Sequence, residues 1–122
     1  MKMLAFKTPD GSATVYTGDA HDFAKGDDVP AAVFSLMEGT VAWIEWIEAA
    51  RPRSGNSLLE TVLAELRAQD VALVGAQVVP IGESADAPAV RRLAAFYSRH
   101  GFTDASELVP WSDWPVMLCA LA

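Results

Sequence analysis

Thiol chemistry is nearly missing from this chain of 122 residues, whose one cysteine is Cys119. A single cysteine excludes an intramolecular disulfide framework and a thiolate cluster for zinc. Its neighbours Met117, Leu118, Ala120 and Leu121 read as the surroundings of a buried thiol rather than of a nucleophile. Long apolar runs are missing too. No stretch approaches the roughly 18 apolar residues of a membrane span, and the N-terminus lacks the charged, apolar and cleavable regions of a secretion signal. A soluble, cytoplasmic protein without a membrane partner is the expectation. Basic charge is scarce, with 9 Lys and Arg against 16 Asp and Glu and a net charge of −7. Nucleic-acid binding, which needs clustered cations to neutralise phosphates, is therefore not expected, whereas a basic substrate would be attracted. Of the two histidines, His21 stands with Asp19 and Asp22 in a polar loop with no matching ligand cluster elsewhere, so no metal site is expected. His100 reads as a helix C-terminal residue favoured by the dipole.

An apolar share of 52% is ample for one continuous core, and a single domain over residues 1–122 is expected. Lys2 to Lys7 and Ser12 to Thr17 flank the turn sequence Pro9-Asp10-Gly11 and suggest a hairpin. Gly18 to Pro30 is polar and glycine-containing, a loop with at most one helical turn. Ala31 to Met37 and Thr40 to Glu48 read as strands joined at Glu38-Gly39. In the second, Val41, Trp43, Glu45 and Ile47 would face one side and Ala42, Ile44, Trp46 and Glu48 the other. Both faces are largely apolar, as in a central strand covered on both sides. Leu59, Val62, Leu63 and Leu66 then recur at helical spacing. Val71 to Val79 is a β-branched strand ended by Pro80. Val90, Leu93, Ala94 and Tyr97 form one stripe of a second helix, with Asp86 as its cap, Pro88 in its first turn and Gly101 as its left-handed end. Phe102 to Val109 and Pro115 to Leu121 supply two last strands.

Between the strand ending at Glu48 and the helix of Leu59 lies Arg51-Pro52-Arg53-Ser54-Gly55-Asn56-Ser57. A turn-forming loop that opens a helix directly after a buried strand can bind an anion, because the helix start presents unpaired N–H groups and a positive dipole end. An ordinary strand-to-helix connection fits as well. Neither the Walker loop nor the Gly-x-Gly-x-x-Gly fingerprint is present.

The later segment Phe96-Tyr97-Ser98-Arg99-His100-Gly101-Phe102, taken with this loop, resembles the GNAT family of N-acetyltransferases. In that family a strand ends in an Arg/Gln-x-x-Gly-x-Gly/Ala loop that opens a helix, and a later helix ends in a sequence like Phe-Tyr-x-x-x-Gly-Phe. The resemblance runs from Thr40 to the C-terminus. With Arg51 as the motif arginine, Ser54 and Asn56 stand where the family favours glycine or alanine. Family members usually carry one or two helices between their first strands as a wall of the acceptor site, and here only Gly18 to Pro30 is available for them.

The resemblance implies an α/β (α+β) fold, with a mixed, largely antiparallel sheet flanked by helices. It also implies acetyl-CoA as cofactor and an amine acceptor that attacks the acetyl thioester directly. Trp46, Ile47 and Glu48 would line the pantetheine arm, and Arg51, Arg53, Ser54, Gly55, Asn56 and Ser57 would hold the pyrophosphate. Tyr97 occupies the family position of the proton donor to sulfur, although a tyrosine there could equally anchor its helix to the core. Glu45 is the first candidate for general base, ahead of Glu38 and Glu48, and each of the three also reads as a solvated strand glutamate. Trp43 with Trp46 and Trp111 with Trp114 point to core or interface packing, and a homodimer is expected. A noncatalytic CoA-binding or protein-interaction module of the same fold is the alternative.

Overall fold

The computed structural model describes residues 1–80 and 88–121. Strands β1 (Lys2–Thr8) and β2 (Gly11–Asp19) form the expected hairpin, paired from Lys2 opposite Thr17 to Thr8 opposite Gly11. Thr8 Oγ1 fixes the turn by accepting from the Asp10 N–H at 3.1 Å. Gly11, at φ 144°, lies so close to the backbone of Glu48 and Ala49 that a side chain there would collide with the Glu48 carbonyl.

After β2 the chain makes one helical turn, α1 (Ala20–Phe23), capped by Asp19 Oδ1 on the His21 N–H at 2.8 Å. The strand expected at Ala31 to Met37 is instead helix α2 (Val29–Phe34). Asp28 Oδ1 accepts from the Ala31 N–H at 3.1 Å, and Pro30 sits in the first turn, where its missing N–H costs nothing. The cap decides the conformation over the β-branched and aromatic side chains. The N-terminal third therefore holds two short helices, where one turn at most was expected between Gly18 and Pro30.

Strand β3 (Thr40–Ala49) leads through the loop into α3 (Ser54–Ala68), β4 (Leu73–Gln77), α4 (Pro88–Arg99), the two-residue β5 (Thr103–Asp104) and β6 (Val116–Ala120). Asp86, the expected cap of α4, lies outside the described residues, while Gly101 adopts the expected left-handed conformation at φ 91°. The strand foreseen at Phe102 to Val109 stops at Asp104. There the Asp104 carboxylate accepts from the Ser106 N–H at 2.7 Å, which holds it below the usual carboxylate range and turns the chain into a 3-10 turn over Ser106–Leu108.

The sheet has the order β1-β2-β3-β4-β6-β5, antiparallel throughout except between β3 and β4. A crossover through α3 makes that parallel pairing possible. Helices α3 and α4 cover one face, with Leu59, Val62, Leu63, Leu66, Val90 and Tyr97 packed on Val15, Ala42, Ile44 and Val74. Helices α1 and α2 cover the other, where Phe34 is fully buried against Phe23 and Trp43, at ring separations of 5.0 and 6.0 Å. Cys119 is buried, as expected. Among the described residues no helix is long and apolar enough to cross a membrane.

Candidate active site

Two irregularities of the sheet meet at the middle of β3. Thr14 pairs with Trp46 and Val15 with Ile44, which leaves Glu45 as the extra residue of a β-bulge. A bulge bends its strand and shifts the alternation of side chains by one. Val41 and Trp43 share one face, as expected, and it is the face that α1 and α2 cover, but beyond the bulge Ile47 packs with Ala42 and Ile44 on the α3–α4 side. The expected grouping of Ile47 with Val41 and Trp43 is thereby corrected. The parallel ladder also ends here. It runs from Val41 opposite Leu73 to Ile44 opposite Ala76; beyond that, β3 stays with β2, and β4 follows β6 through Gln77 opposite Val116.

Where the two parallel strands part, a cleft of about 610 Å³ opens. Its walls include Trp43 to Ala49 from β3, Gln77, Val79 and Pro80 from the end of β4, and Leu93 and Tyr97 from α4. All three β3 residues expected beside a pantetheine arm, Trp46, Ile47 and Glu48, line it, with Trp46 44% exposed. Glu45 lines it too. Glu38 precedes β3, at the strand end away from the cleft.

Tyr97 reaches the cleft from α4 yet is only 2% exposed. Its ring packs between Phe96 and Phe102, at centroid distances of 5.4 and 5.0 Å. Burial raises the phenol well above its ordinary value, because a phenolate would lose its hydration there. Tyr97 is thus held neutral at the wall of the cleft.

The loop after β3 is built by contacts with the β1–β2 turn. Arg51 Nη1 donates to the Pro9 carbonyl at 2.8 Å, and Nη2 pairs with Asp10 Oδ1 at 3.1 Å. The buried Ser54 hydroxyl donates to the Asp10 carbonyl at 2.7 Å and accepts from the Arg51 N–H at 3.1 Å. Arg53 takes the left-handed conformation, φ 73°, at the N-cap of α3, and no side chain caps the helix. The first turn of α3, including Gly55, Asn56 and Ser57, therefore carries backbone amides without intrahelical acceptors and no acidic residue to oppose an anion. Asn56 Oδ1 lies 3.0 Å from His100 Nε2 and accepts from that nitrogen in its protonated tautomer. A Cβ at Gly55 would approach the Phe96 ring at 3.4 Å, so this turn is packed closely on α4.

The backbone turn of the expected anion loop is thus present, while three of its side chains are engaged within the protein: Arg51 and Ser54 hold the hairpin turn, and Asn56 holds His100. Sequence reading missed Asp10, Gln77, Leu93 and His100. Gln77 had a signal, being polar within the apolar run Val71 to Val79, and its Nε2 donates to Ser112 Oγ at 2.9 Å. Leu93 had another, standing one helical turn before Tyr97. The partners of Asp10 and His100, 41 and 44 residues away, left no local trace.

The sequence matches no protein-family model and no curated protein. Its structure is similar to that of a protein from Desulfovibrio desulfuricans assigned to the GNAT acetyltransferases, with a TM-score of 0.54, 17% identity and coverage of 96% of this chain and 66% of the other. It is also similar to an apo mutant of agmatine N-acetyltransferase, with a TM-score of 0.52, 13% identity and coverage of 89% and 67%. The chain spans about two thirds of the length of each. Its fold is that of the GNAT acetyltransferases, a mixed, largely antiparallel sheet flanked by helices.

Proposed function

We propose that this chain is a single acetyltransferase domain that moves an acetyl group from acetyl-CoA to an amine. The observation that carries the reading is the cleft where β3 and β4 part, with Tyr97 on its wall and the uncapped start of α3 following β3. The residues fit the cofactor. Among the described residues, β3 beyond the bulge is paired only on its β2 side, and a strand edge of that kind can hydrogen-bond an extended amide-bearing arm. The amides of Gly55 to Ser57 suit a pyrophosphate, which Arg51 and Arg53 would favour by charge.

Acetyl-CoA supplies an acyl carbon joined to a leaving sulfur. The acceptor nitrogen forms the new bond to that carbon as the carbon–sulfur bond breaks. Glu45, at the bulge, takes the ammonium proton directly or through water, and the Tyr97 hydroxyl gives its proton to the departing sulfur. Burial keeps the phenol protonated at neutral pH, so the proton is in place to be given. Solvent reprotonates the tyrosine.

A second reading, a noncatalytic CoA-binding or protein-interaction module, draws on the side chains of Arg51, Ser54 and Asn56 being engaged within the protein. Thermal unfolding with and without ligand tests the cofactor assignment. Acetyl-CoA at about 100 times its Kd should add ~2.7 kcal/mol of stability, and free adenine, which lacks the pyrophosphate, should add less. No shift at millimolar acetyl-CoA defeats both readings that include CoA.

A further inference from the structure

A second cavity, of about 340 Å³, lies beside α1 and α2 and shares Trp43 and Glu45 with the cleft. Tyr16, Phe23 and Trp43 give it aromatic walls, and Asp22, Asp28 and Glu45 bring three carboxylates; Met1, with its cationic amino group, lines it too, and among the described residues no Lys, Arg or His side chain does. Two of the carboxylates are partly engaged. Asp28 uses Oδ1 to cap α2, and Asp22 Oδ1 meets the exposed Lys25 at 3.4 Å. Each keeps a second oxygen for a ligand.

Aromatic faces beside carboxylates select an alkylammonium group, which is drawn to both the ring quadrupole and the negative charge. One ammonium would satisfy only part of this charge. With Glu45 lining both spaces, a nitrogen beside it would lie next to the cleft, and the two aspartates would be left for another cation. We propose that the cavity holds the acceptor, and that the acceptor is a small aliphatic primary amine carrying a second cationic group. The role as acceptor site rests on the acetyl-transfer reading; the preference for a dication rests on the cavity alone.

Calorimetric titration of the cofactor-free chain at low salt with 1,5-diaminopentane and with 1-aminopentane tests the preference. The diamine should bind at least ~10-fold more tightly, and 0.5 M salt should reduce the difference. In the double variant Asp22→Asn with Asp28→Asn the preference should fall to within ~2-fold, while the fold persists because asparagine caps a helix as well as aspartate. Circular dichroism and the acetyl-CoA thermal shift verify the fold of the variant. Equal binding of the two amines, no binding of either at millimolar concentration, or a preference that survives the double variant overturns the proposal.

Turnover separates this inference from the reading beneath it. Acetylation of both amines with equal kcat/KM leaves acetyl transfer standing and overturns the dication site. Diamine-selective binding that the double variant abolishes, with neither amine acetylated, supports the dication site and removes the acetyl-transfer reading.

Discussion

Tyr97 combines near-complete burial with a place on the cleft wall, and that pairing makes its role testable in two independent ways. Tyr97→Phe keeps the ring packed against Phe96 and Phe102, so acetyl-CoA binding should stay within a few-fold while turnover falls by roughly 10²- to 10⁴-fold, the usual range for loss of a positioned acid. Steady-state kinetics on the folded variant check this, and an unchanged turnover removes the general-acid role. The second test concerns stability. The folded-state phenol titrates above its ordinary value near 10, so its contribution is complete below about pH 10 and is lost as pH rises toward the folded-state value. Urea midpoints at pH 8 and pH 11 should fall further in the parent than in Tyr97→Phe. Both proteins retain Tyr16, so the difference between them isolates Tyr97.

Among the elements, the β1–β2 turn acts on the loop that opens α3. Asp10→Ala removes the carboxylate that pairs with the half-exposed Arg51. Stability should change by no more than ~1 kcal/mol, as for other exposed pairs, but acetyl-CoA should bind more weakly because the loop loses one of its anchors. Ser54→Ala goes further, leaving the Asp10 carbonyl and the Arg51 N–H without the hydroxyl they share. A cost of about 1–3 kcal/mol is expected, measured by denaturant unfolding, together with a weaker acetyl-CoA thermal shift. A shift of parent size in both variants would show that the turn does not position the loop.

Element boundaries were legible wherever the signal was local. Pro9-Asp10-Gly11 marked the hairpin, and Gly101 marked the end of α4. Helix α2 replaces the strand expected at Ala31 to Met37 because the Asp28 cap and Pro30 in the first turn outweigh the strand preference of Val33 and Phe34. The bulge at Glu45 could not be read from β3 by itself. It exists only in the register against β2, and with it went the side to which Ile47 turns.

For the molecule as a whole, pattern was enough to find the covered central strand and the helix after it, while the motif around Tyr97 came from the family resemblance. The cleft was only partly legible, since its far wall depends on β4 leaving β3 for β6. Trp46, Trp111 and Leu36 are exposed by 44%, 61% and 90%, and the homodimer expected from the sequence would cover part of this apolar surface. Sedimentation over a range of concentrations should show association, and a concentration-independent monomer would contradict it.

Acetyl transfer is tested most directly by mixing the purified chain with acetyl-CoA and 1,5-diaminopentane and following free CoA thiol and acetylated amine together. The account predicts that both products appear in equal amounts, only when the amine is present, and far more slowly with Tyr97→Phe. Acetyl-CoA that binds but releases no thiol in response to this or any other amine would contradict the account and leave the noncatalytic module.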